Sequence, residues 1–213
     1  MVTSGSGHAI FMTSMAGFIL VGGASSRMGT NKASLLLDGR TFVQRIAEEL
    51  LAVTDSVTLI GKDSGKLQLD LPTAPDAYAN WGALGGVHAA LYASRSPWSM
   101  IVACDLPFVT AGLFACLAGL REDFEAVAPI QKDGRPQPLA ALYRNDPCLA
   151  RADQLIKSGE RRPVALLQSV RTRWTPFNEL LELPGAERFF DNINTPQDYE
   201  HASGKGDTIR AEG

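Results

Sequence analysis

The sequence is poor in the residues that build disulfide frameworks, zinc sites and nucleophilic triads. It has three cysteines, Cys104, Cys116 and Cys148, with no Cys-x-x-Cys pair and no metal-ligand spacing among them. A sparse, odd set of this kind excludes a disulfide scaffold and is typical of a reducing compartment, so we predict a cytoplasmic protein. The three histidines are scattered along the chain, and we expect none of them to be catalytic.

Charge and the length of the apolar runs exclude two further classes of protein. The net charge of −3 gives no basic excess for binding nucleic acid. No apolar run reaches the ~18 residues that a membrane span requires, and residues 1–14 lack the basic start of a signal peptide. We therefore expect neither a nucleic-acid partner nor a membrane partner.

The rest of the composition suits one domain with a sizeable core. Of the 213 residues, 45% are apolar, which is enough to bury a single large core. The first residues are rich in Gly and Ser, and the last ones are small, polar and charged. We predict a domain over residues 16–202, preceded by a flexible leader (residues 1–15) and followed by a flexible tail (residues 203–213).

Apolar runs that favour strands alternate with periodic segments that favour helices. Short continuous runs predict strands over residues 18–21, 56–60, 98–103, 126–130, 138–143, 173–177 and 187–190. Helical spacing predicts helices over residues 42–51, 84–92, 113–120, 146–157, 163–169 and 196–202. This alternation predicts an α/β fold, in which a mainly parallel sheet carries helices on both faces.

A glycine-rich segment follows the first predicted strand. Residues 20–32 read Leu-Val-Gly-Gly-Ala-Ser-Ser-Arg-Met-Gly-Thr-Asn-Lys. Glycines let a backbone approach a ligand closely, and successive N–H groups in such a loop form a concavity for anions. Arg27 and Lys32 add two cations, although the spacing fits neither a Walker A loop nor the dinucleotide-binding fingerprint. We interpret the segment as a polyphosphate-binding loop; a glycine-rich turn with surface charges is the alternative.

Acidic residues stand where ligands bind in open α/β sheets, just after the strands. Asp105 directly follows the predicted strand 98–103 and Cys104, so its carboxylate is a candidate ligand for Mg²⁺ bound to nucleotide phosphates. Asp76 precedes Gly82 and the helix predicted over residues 84–92. For both aspartates, an ordinary turn residue is the alternative interpretation.

These segments together resemble nucleotidyltransferases with a Rossmann-like core, and among them the MobA-like molybdenum cofactor guanylyltransferases. The family signature is Leu-Ala-Gly-Gly, three variable residues, Arg-Met-Gly and then Lys. Further matches are Cys-Asp-x-Pro at residues 104–107, Asp and a later Gly-x-Leu-x-Gly within 76–86, a Pro-Leu-x-Ala-Leu-like strand within 136–143, and Asn-x-Asn-Thr-Pro-x-Asp at 192–198. The resemblance covers about residues 16–202. It implies a single Rossmann-like domain with a mainly parallel, mixed central sheet flanked by helices.

The resemblance also implies roles for the matching residues. Catalytic roles are implied for Arg27, Lys32 and Asp105, with Asp105 also holding the cofactor Mg²⁺. Nucleotide contacts are implied for Leu20, Val21, Gly22, Gly23, Gly29, Lys32, Asp76, Gly82, Gly86 and Asp105. Acceptor contacts are implied for Arg135, Asn192 and Asn194. The hairpin-like turn before the strand 138–143 is equally consistent with a purely structural role.

Three departures from the family pattern are visible. Ala83 replaces the usual Pro, and Asn31 replaces the Asp that usually precedes the signature Lys. Residues 60–62 read Ile-Gly-Lys and offer no Asn of the kind that touches guanine in some relatives. The two cations of the glycine-rich segment are retained, whereas no Asn after the second strand matches the base contact of those relatives.

The implied reaction is transfer of GMP from GTP to the phosphate of molybdopterin, with release of pyrophosphate. Gly22 favours guanine, because guanylyltransferases of this superfamily carry Leu-x-Gly-Gly where cytidylyltransferases carry Leu-Ala-Ala-Gly. The alternatives are cytidylyl transfer to the same pterin, nucleotidyl transfer to a sugar phosphate, and a non-catalytic GTP-binding protein. The implied protein partners are those of molybdenum cofactor synthesis and the recipient molybdoenzyme.

Overall fold

The computed structural model describes residues 14–21, 35–61, 67, 69–76, 78 and 81–203. Strands and helices alternate through most of this part of the chain. The strands are β1 (Met15–Leu20), β2 (Leu36–Leu37), β3 (Arg40–Thr41), β4 (Ser56–Ile60), β5 (Thr73–Ala74), β6 (Trp98–Ala103), β7 (Ala126–Pro129), β8 (Ala140–Arg144) and β9 (Thr172–Thr175). The helices are α1 (Phe42–Leu51), α2 (Gly82–Ala93), α3 (Ala111–Gly119), α4 (Asn145–Lys157), α5 (Pro163–Ser169) and α6 (Pro196–Ala202).

One seven-stranded sheet organises the molecule, in the order β5-β4-β1-β6-β8-β7-β9. All of its strands run in the same direction except β8, which is antiparallel to both of its neighbours. The predicted α/β fold with a mainly parallel, mixed sheet is therefore confirmed. β1 pairs with β4 on one side and β6 on the other. The strand order thus reverses at β1, and ligands of open α/β sheets bind at such a switch point.

Helices on both faces explain why the central strands are apolar throughout. Every residue of β1 and β6 is buried, as expected for parallel strands covered on both sides. One face of β1, including Ile19, packs with α1 and α3, and the other face, including Phe18, packs with α2, α4 and α5. The core is therefore two apolar layers separated by the sheet.

The closing helix α6 packs on a small hairpin formed by β2 and β3. A third apolar cluster joins Leu37 and Phe42 near the hairpin to Ile193, which lies just before α6. The hydroxyl of Tyr199 in α6 donates a hydrogen bond of 2.6 Å to the carbonyl of Leu36. The end of the described chain thereby fastens the hairpin that precedes α1.

One predicted strand is wrong, and three short strands were not predicted. Residues 187–190 form no strand; the 3₁₀ turn Ala186–Arg188 lies there instead. Its neighbour Phe189 is fully buried in the core, so the apolar pair at 189–190 reflects the anchoring of a turn rather than sheet pairing. The unpredicted strands β2, β3 and β5 have two residues each, too few for a period to show.

The boundaries of the predicted domain are only partly described. β1 begins at Met15, which the prediction assigned to the leader, and the backbone N–H of Met15 donates to the carboxylate of Asp55 at 3.1 Å. Residues 1–13 and 204–213 lie outside the described residues. Within the described ranges, no helix combines the length and the hydropathy that crossing a membrane requires.

Candidate functional site

The carboxyl end of β1 lies between the ends of its two parallel neighbours. The N–H of Cys104, after β6, donates to the carbonyl of Leu20 at 3.1 Å, and the N–H of Val21 donates to the carbonyl of Ile60 at 2.8 Å. Leu20 and Val21, both predicted to contact nucleotide, therefore lie at the switch point with Asp105 one residue beyond Cys104. The topology gathers these strand ends at one edge of the sheet.

The glycine-rich segment leaves the sheet at this edge. Its predicted site residues, Gly22, Gly23, Arg27, Gly29 and Lys32, lie outside the described residues. The described chain resumes at residue 35, whose carbonyl accepts a hydrogen bond of 3.1 Å from the N–H at the start of α1. The segment thus connects the switch point to the hairpin that α6 holds.

Asp105 lies next to the segment that carries the two predicted acceptor asparagines. Asp105 is half-buried, and its backbone carbonyl accepts a 3.1 Å hydrogen bond from the N–H of Ile193. Asn192 and Asn194, which flank Ile193, are exposed. The structure therefore brings the predicted metal ligand and the predicted acceptor residues together, although Asp105 and Ile193 are 88 positions apart.

The Thr195 region is also a helix cap. Thr195 caps α6: its side chain accepts from the N–H of Asp198, and the Asp198 carboxylate accepts from the N–H groups of Thr195 and Asn194 at 2.8 and 2.9 Å. These bonds fix the backbone that presents Asn192 and Asn194. The capping residues thus serve the structure whatever the asparagines bind.

A cavity of about 800 Å³ opens beside residues 190–193, which precede α6. Its lining includes Arg135 and Asn192 from the predicted acceptor residues, together with Phe108, Phe190 and Arg188. Asn194 is not part of the lining. The acidic residues Asp191, Asp198 and Glu200 also line the cavity, so its walls carry charges of both signs. The part that suits a flat, anionic ligand is where the two arginines lie with the apolar rings.

Arg135 reaches this cavity from the turn between β7 and β8. Because β7 runs parallel to β6, its carboxyl end lies at the same edge of the sheet as Asp105. The guanidinium of Arg135 hydrogen-bonds the carboxylate of Asp133 at 2.6 Å, and this bond lowers the pKa of Asp133 below its ordinary value. Arg135 is highly exposed, so solvent screens this ion pair.

Asp76 and the start of α2 form the other side of the candidate site. Asp76 follows β5, and its carboxylate accepts a 3.1 Å hydrogen bond from the N–H of Tyr78. Gly82 opens α2 with φ of +72°, a conformation that disfavours side chains. A Cβ atom at Gly86 would lie 3.1 Å from Cδ1 of Leu20. Gly86 therefore lets α2 lie close to the end of β1, near the strand edge that the glycine-rich segment leaves.

Two groups of residues at this site were not predicted from the sequence. A Cβ at Gly85 would lie 2.9 Å from Cβ of Trp81 and 3.4 Å from the Asp76 carboxylate, so Gly85 sets the distance between α2 and Asp76. In the 800 Å³ cavity, the guanidinium of Arg188 lies 3.6 Å from the ring centre of Phe108. The repeated glycines at 85–86 were a visible signal, whereas nothing local in the sequence marks Arg188.

The oxygen ligands available for a metal ion at this edge are few. Among the described residues, no group of three or more His, Cys, Asp or Glu side chains is arranged to hold a metal. Asp105 supplies one carboxylate next to the switch point. Mg²⁺ is typically bound through one or two carboxylates together with substrate phosphates and water, so this donor set fits Mg²⁺ brought by a nucleotide rather than a metal caged by protein.

Comparison with known proteins identifies the family of this site. Residues 17–173 match the model of the MobA-like NTP transferase domain, over most of the chain. The chain belongs to this family. MobA-like NTP transferases are nucleotidyltransferases, and the strand edge described above is the candidate active site of this one.

The most similar curated relatives share one name. The probable molybdenum cofactor guanylyltransferase of Pelotomaculum thermopropionicum is 31% identical over 188 residues, which cover 88% of this chain and 91% of that protein. The molybdenum cofactor guanylyltransferase of Desulfosudis oleivorans is 30% identical and covers 90% of this chain and 95% of its own. This MobA-like transferase therefore aligns with its relatives over nearly their whole length.

Solved structures share the fold. Molybdopterin-guanine dinucleotide biosynthesis protein A from Archaeoglobus fulgidus superposes with a TM-score of 0.75 at 23% identity, over 89% of this chain and 97% of its own. The 2-C-methyl-D-erythritol 4-phosphate cytidylyltransferase from Thermus thermophilus superposes with a TM-score of 0.63 at 16% identity, over 88% and 96%. The MobA-like fold thus also occurs in a cytidylyltransferase.

Proposed function

We propose that this protein transfers GMP from GTP to the phosphate of molybdopterin and releases pyrophosphate. The observation that carries the proposal is the hydrogen bond between Ile193 and Asp105, which holds the acceptor-side segment against the end of β6. The names of the curated relatives support both substrates.

The proposed reaction requires the protein mainly to align the reacting phosphates and to stabilise negative charge. The second pKa of a phosphate monoester is about 6, so the attacking oxygen is already anionic at neutral pH. No activated serine, cysteine or histidine is needed. Catalysis then depends on holding the two phosphates in line and stabilising the charge that develops on the leaving group.

The residues divide into a nucleotide side and an acceptor side. Arg27 and Lys32 are proposed to hold the β- and γ-phosphates, which leave as pyrophosphate. The other nucleotide contacts are proposed to come from Leu20, Val21, Gly22, Gly23, Gly29, Asp76, Gly82 and Gly86. The acceptor side is proposed to consist of Arg135, Asn192 and Asn194.

Asp105 is the residue proposed to bind Mg²⁺. A carboxylate oxygen at the switch point is a ligand that this hard cation prefers. Bound Mg²⁺ supplies positive charge to the phosphates of the nucleotide. The backbone of Asp105 meanwhile anchors the acceptor-side segment through Ile193. Asp105 thus serves both sides of the site.

Cytidylyl transfer is the second candidate, because a cytidylyltransferase shares the fold. Gly22 favours guanine only through the family pattern. The expected partners in the cell are proteins of molybdenum cofactor synthesis and the recipient molybdoenzyme, and the sparse cysteines support a cytoplasmic location.

The decisive experiment measures pyrophosphate release from GTP, Mg²⁺ and molybdopterin. We expect release that requires all three components, with formation of the guanine dinucleotide, and little release when CTP replaces GTP. Faster release with CTP would assign the protein to cytidylyl transfer. Retention of GTP without any release would identify a nucleotide-binding protein instead.

A further inference from the structure

We propose that Arg188, stacked on Phe108, binds the phosphate of the acceptor. This inference rests on the proposed function, because it assumes an acceptor that carries a phosphate monoester. Neither residue belongs to the motifs that identified the family. Both line the 800 Å³ cavity that also contains Arg135 and Asn192.

The stack holds the Arg188 guanidinium in one place. Its central carbon lies 3.6 Å from the ring centre of Phe108, within the range of a close cation–π contact. Arg188 ends the 3₁₀ turn Ala186–Arg188, and the fully buried ring of Phe189 anchors the next residue in the core. A long side chain that is already ordered loses less conformational freedom when it binds a ligand.

The position of Phe108 links this stack to the reaction centre. Phe108 lies three residues after Asp105, in a loop whose neighbouring residues Leu106 and Val109 are buried. On the other side, the segment after Arg188 continues to Ile193, whose N–H bonds the carbonyl of Asp105. Arg188 is therefore connected to Asp105, the residue proposed to bind the metal, through Phe108 on one side and through Ile193 on the other.

The stack leaves the hydrogen-bonding edge of Arg188 available. A ring covers only a face of the guanidinium, and the in-plane N–H groups still point outward. The Nε atom lies 3.6 Å from the Asp191 carboxylate, which is too long for a hydrogen bond. Among the described residues, the two terminal nitrogens have no hydrogen-bond partner. This edge matches the paired oxygens of a phosphate.

The other arginine of the cavity is less suited to this role. Arg135 already bonds Asp133 through Nε at 2.6 Å, and its Nη2 contacts the same carboxylate at 2.5 Å. A phosphate would have to displace these two short contacts, whereas Arg188 pairs with the Asp191 carboxylate only through a longer Nε contact of 3.6 Å. Arg188 therefore binds the phosphate, while Arg135 contributes positive charge at the mouth of the cavity.

The test uses Arg188→Gln and a matched control at the opposite edge of the sheet. Arg171 is exposed and precedes β9, at the amino end of the parallel strands. The dissociation constant of molybdopterin is measured by equilibrium dialysis in wild type, Arg188→Gln and Arg171→Gln. Turnover is measured on the same preparations with either GTP or molybdopterin varied.

We expect Arg188→Gln to weaken molybdopterin binding and to raise the KM for it by roughly tenfold or more, as loss of a charged hydrogen bond does. The KM for GTP and the melting temperature should stay at wild-type values, and Arg171→Gln should change nothing. Arg188→Lys should recover part of the affinity, because it keeps the charge but loses the planar pair of donors.

A dephosphorylated pterin identifies the group that Arg188 contacts. Wild type and Arg188→Gln should bind it equally, because the interaction that distinguishes them is with the phosphate. A defect that persists with this ligand, an equal rise in the KM for GTP, or wild-type molybdopterin affinity in a folded Arg188→Gln protein would each overturn the assignment.

The binding measurement also separates this inference from the proposed function. If wild type binds molybdopterin in an Arg188-dependent way but releases no pyrophosphate, the transfer reaction is wrong and the phosphate site is retained. If transfer proceeds and Arg188→Gln binds normally, only the phosphate site is wrong. If wild type does not bind molybdopterin at all, both are wrong.

Discussion

The substitution Asp105→Asn distinguishes a role of this side chain in catalysis from a role in folding. Asp105→Asn keeps the shape of the side chain and the backbone carbonyl that accepts from Ile193, but it removes the charge that competes with water for Mg²⁺. We expect turnover to fall by about two to three orders of magnitude, as after loss of other charge-stabilising groups, with an unchanged melting temperature. Asp123→Asn, in the exposed turn before β7, is the control. A variant that melts earlier yet turns over normally would make Asp105 a turn residue.

Gly85 controls how closely α2 approaches Asp76, and a methyl group is enough to test this. In Gly85→Ala the new Cβ would lie 2.9 Å from Cβ of Trp81, so Trp81 or the helix must shift. We expect a loss of about 1–3 kcal/mol in the free energy of unfolding, typical of overpacking, and weaker GTP binding because Asp76 moves. Chemical denaturation and nucleotide titration check both effects.

Gly119→Ala is the matched control for that substitution. Gly119 lies in α3, and a Cβ there would meet nothing within 4 Å. The same change should therefore be neutral or stabilising by up to about 1 kcal/mol through helix propensity. Equal effects of the two substitutions would show that close packing at Gly85 is unimportant.

The capping hydrogen bond of α6 leads to a prediction about hydrogen exchange in that helix. Thr195→Ala removes the side chain that accepts from the N–H of Asp198, and loss of such a cap costs about 1 kcal/mol. Because α6 has no buried residues of its own, we expect faster hydrogen exchange across the helix and in the hairpin that Tyr199 fastens. Thr110→Ala, which removes the cap of α3, should leave exchange in α6 unchanged. Wild-type exchange in Thr195→Ala would mean that the cap does not hold α6.

The sequence predicted most elements of the fold, and the exceptions have physical reasons. The bounds of α1, β4, β6 and α5 agree with the prediction because each has a clear apolar pattern. Those of α6 agree because Pro196 marks its first turn. β5 was missed because a two-residue edge strand carries no period. Residues 187–190 were wrongly predicted as a strand because a buried aromatic residue signals burial without indicating which element buries it.

Cys148 reports on unfolding of the complete chain. It is fully buried, its Sγ donates to the carbonyl of Glu125 at 3.3 Å, and burial raises the pKa of its thiol from 9.0 to about 12. Only the thiolate reacts with alkylating reagents, so at pH 8 we expect labelling of Cys148 only after urea unfolds the protein. The half-buried Cys116 is the internal reference. Equal labelling of both thiols in the native protein would contradict the burial of Cys148.

The same thiol gives a pH dependence with a definite sign. The unfolded chain ionises at Cys148 first as the pH rises, because only the folded state has the raised pKa. The free energy of unfolding should therefore fall between about pH 9 and pH 12 by linkage. Cys148→Ala should reduce this slope in denaturation experiments at alkaline pH. A slope identical to that of wild type would show that another group causes it.

The candidate site was predictable only where local sequence and topology coincide. Asp105 follows the predicted strand 98–103, so the rule for open α/β sheets places it at the ligand edge from the sequence alone. Asp76 follows β5, which was not predicted, so only the structure shows that it follows a strand. Their roles, like those of Arg135, Asn192 and Asn194, stay predictions. The stack of Arg188 on Phe108 joins residues 80 positions apart, and no periodicity or motif in one sequence specifies such a pairing.

The hydrogen bond from Tyr199 to Leu36 also sets an order of events during synthesis. The two residues are 163 positions apart, and a ribosome adds about 5–20 residues per second, so Leu36 emerges roughly ten to thirty seconds before its partner. β1, β4 and β6 are all made before then and can pair with one another. A nascent chain stopped before α6 can therefore build the central sheet while the hairpin is still unfastened, and the candidate site is completed late in translation.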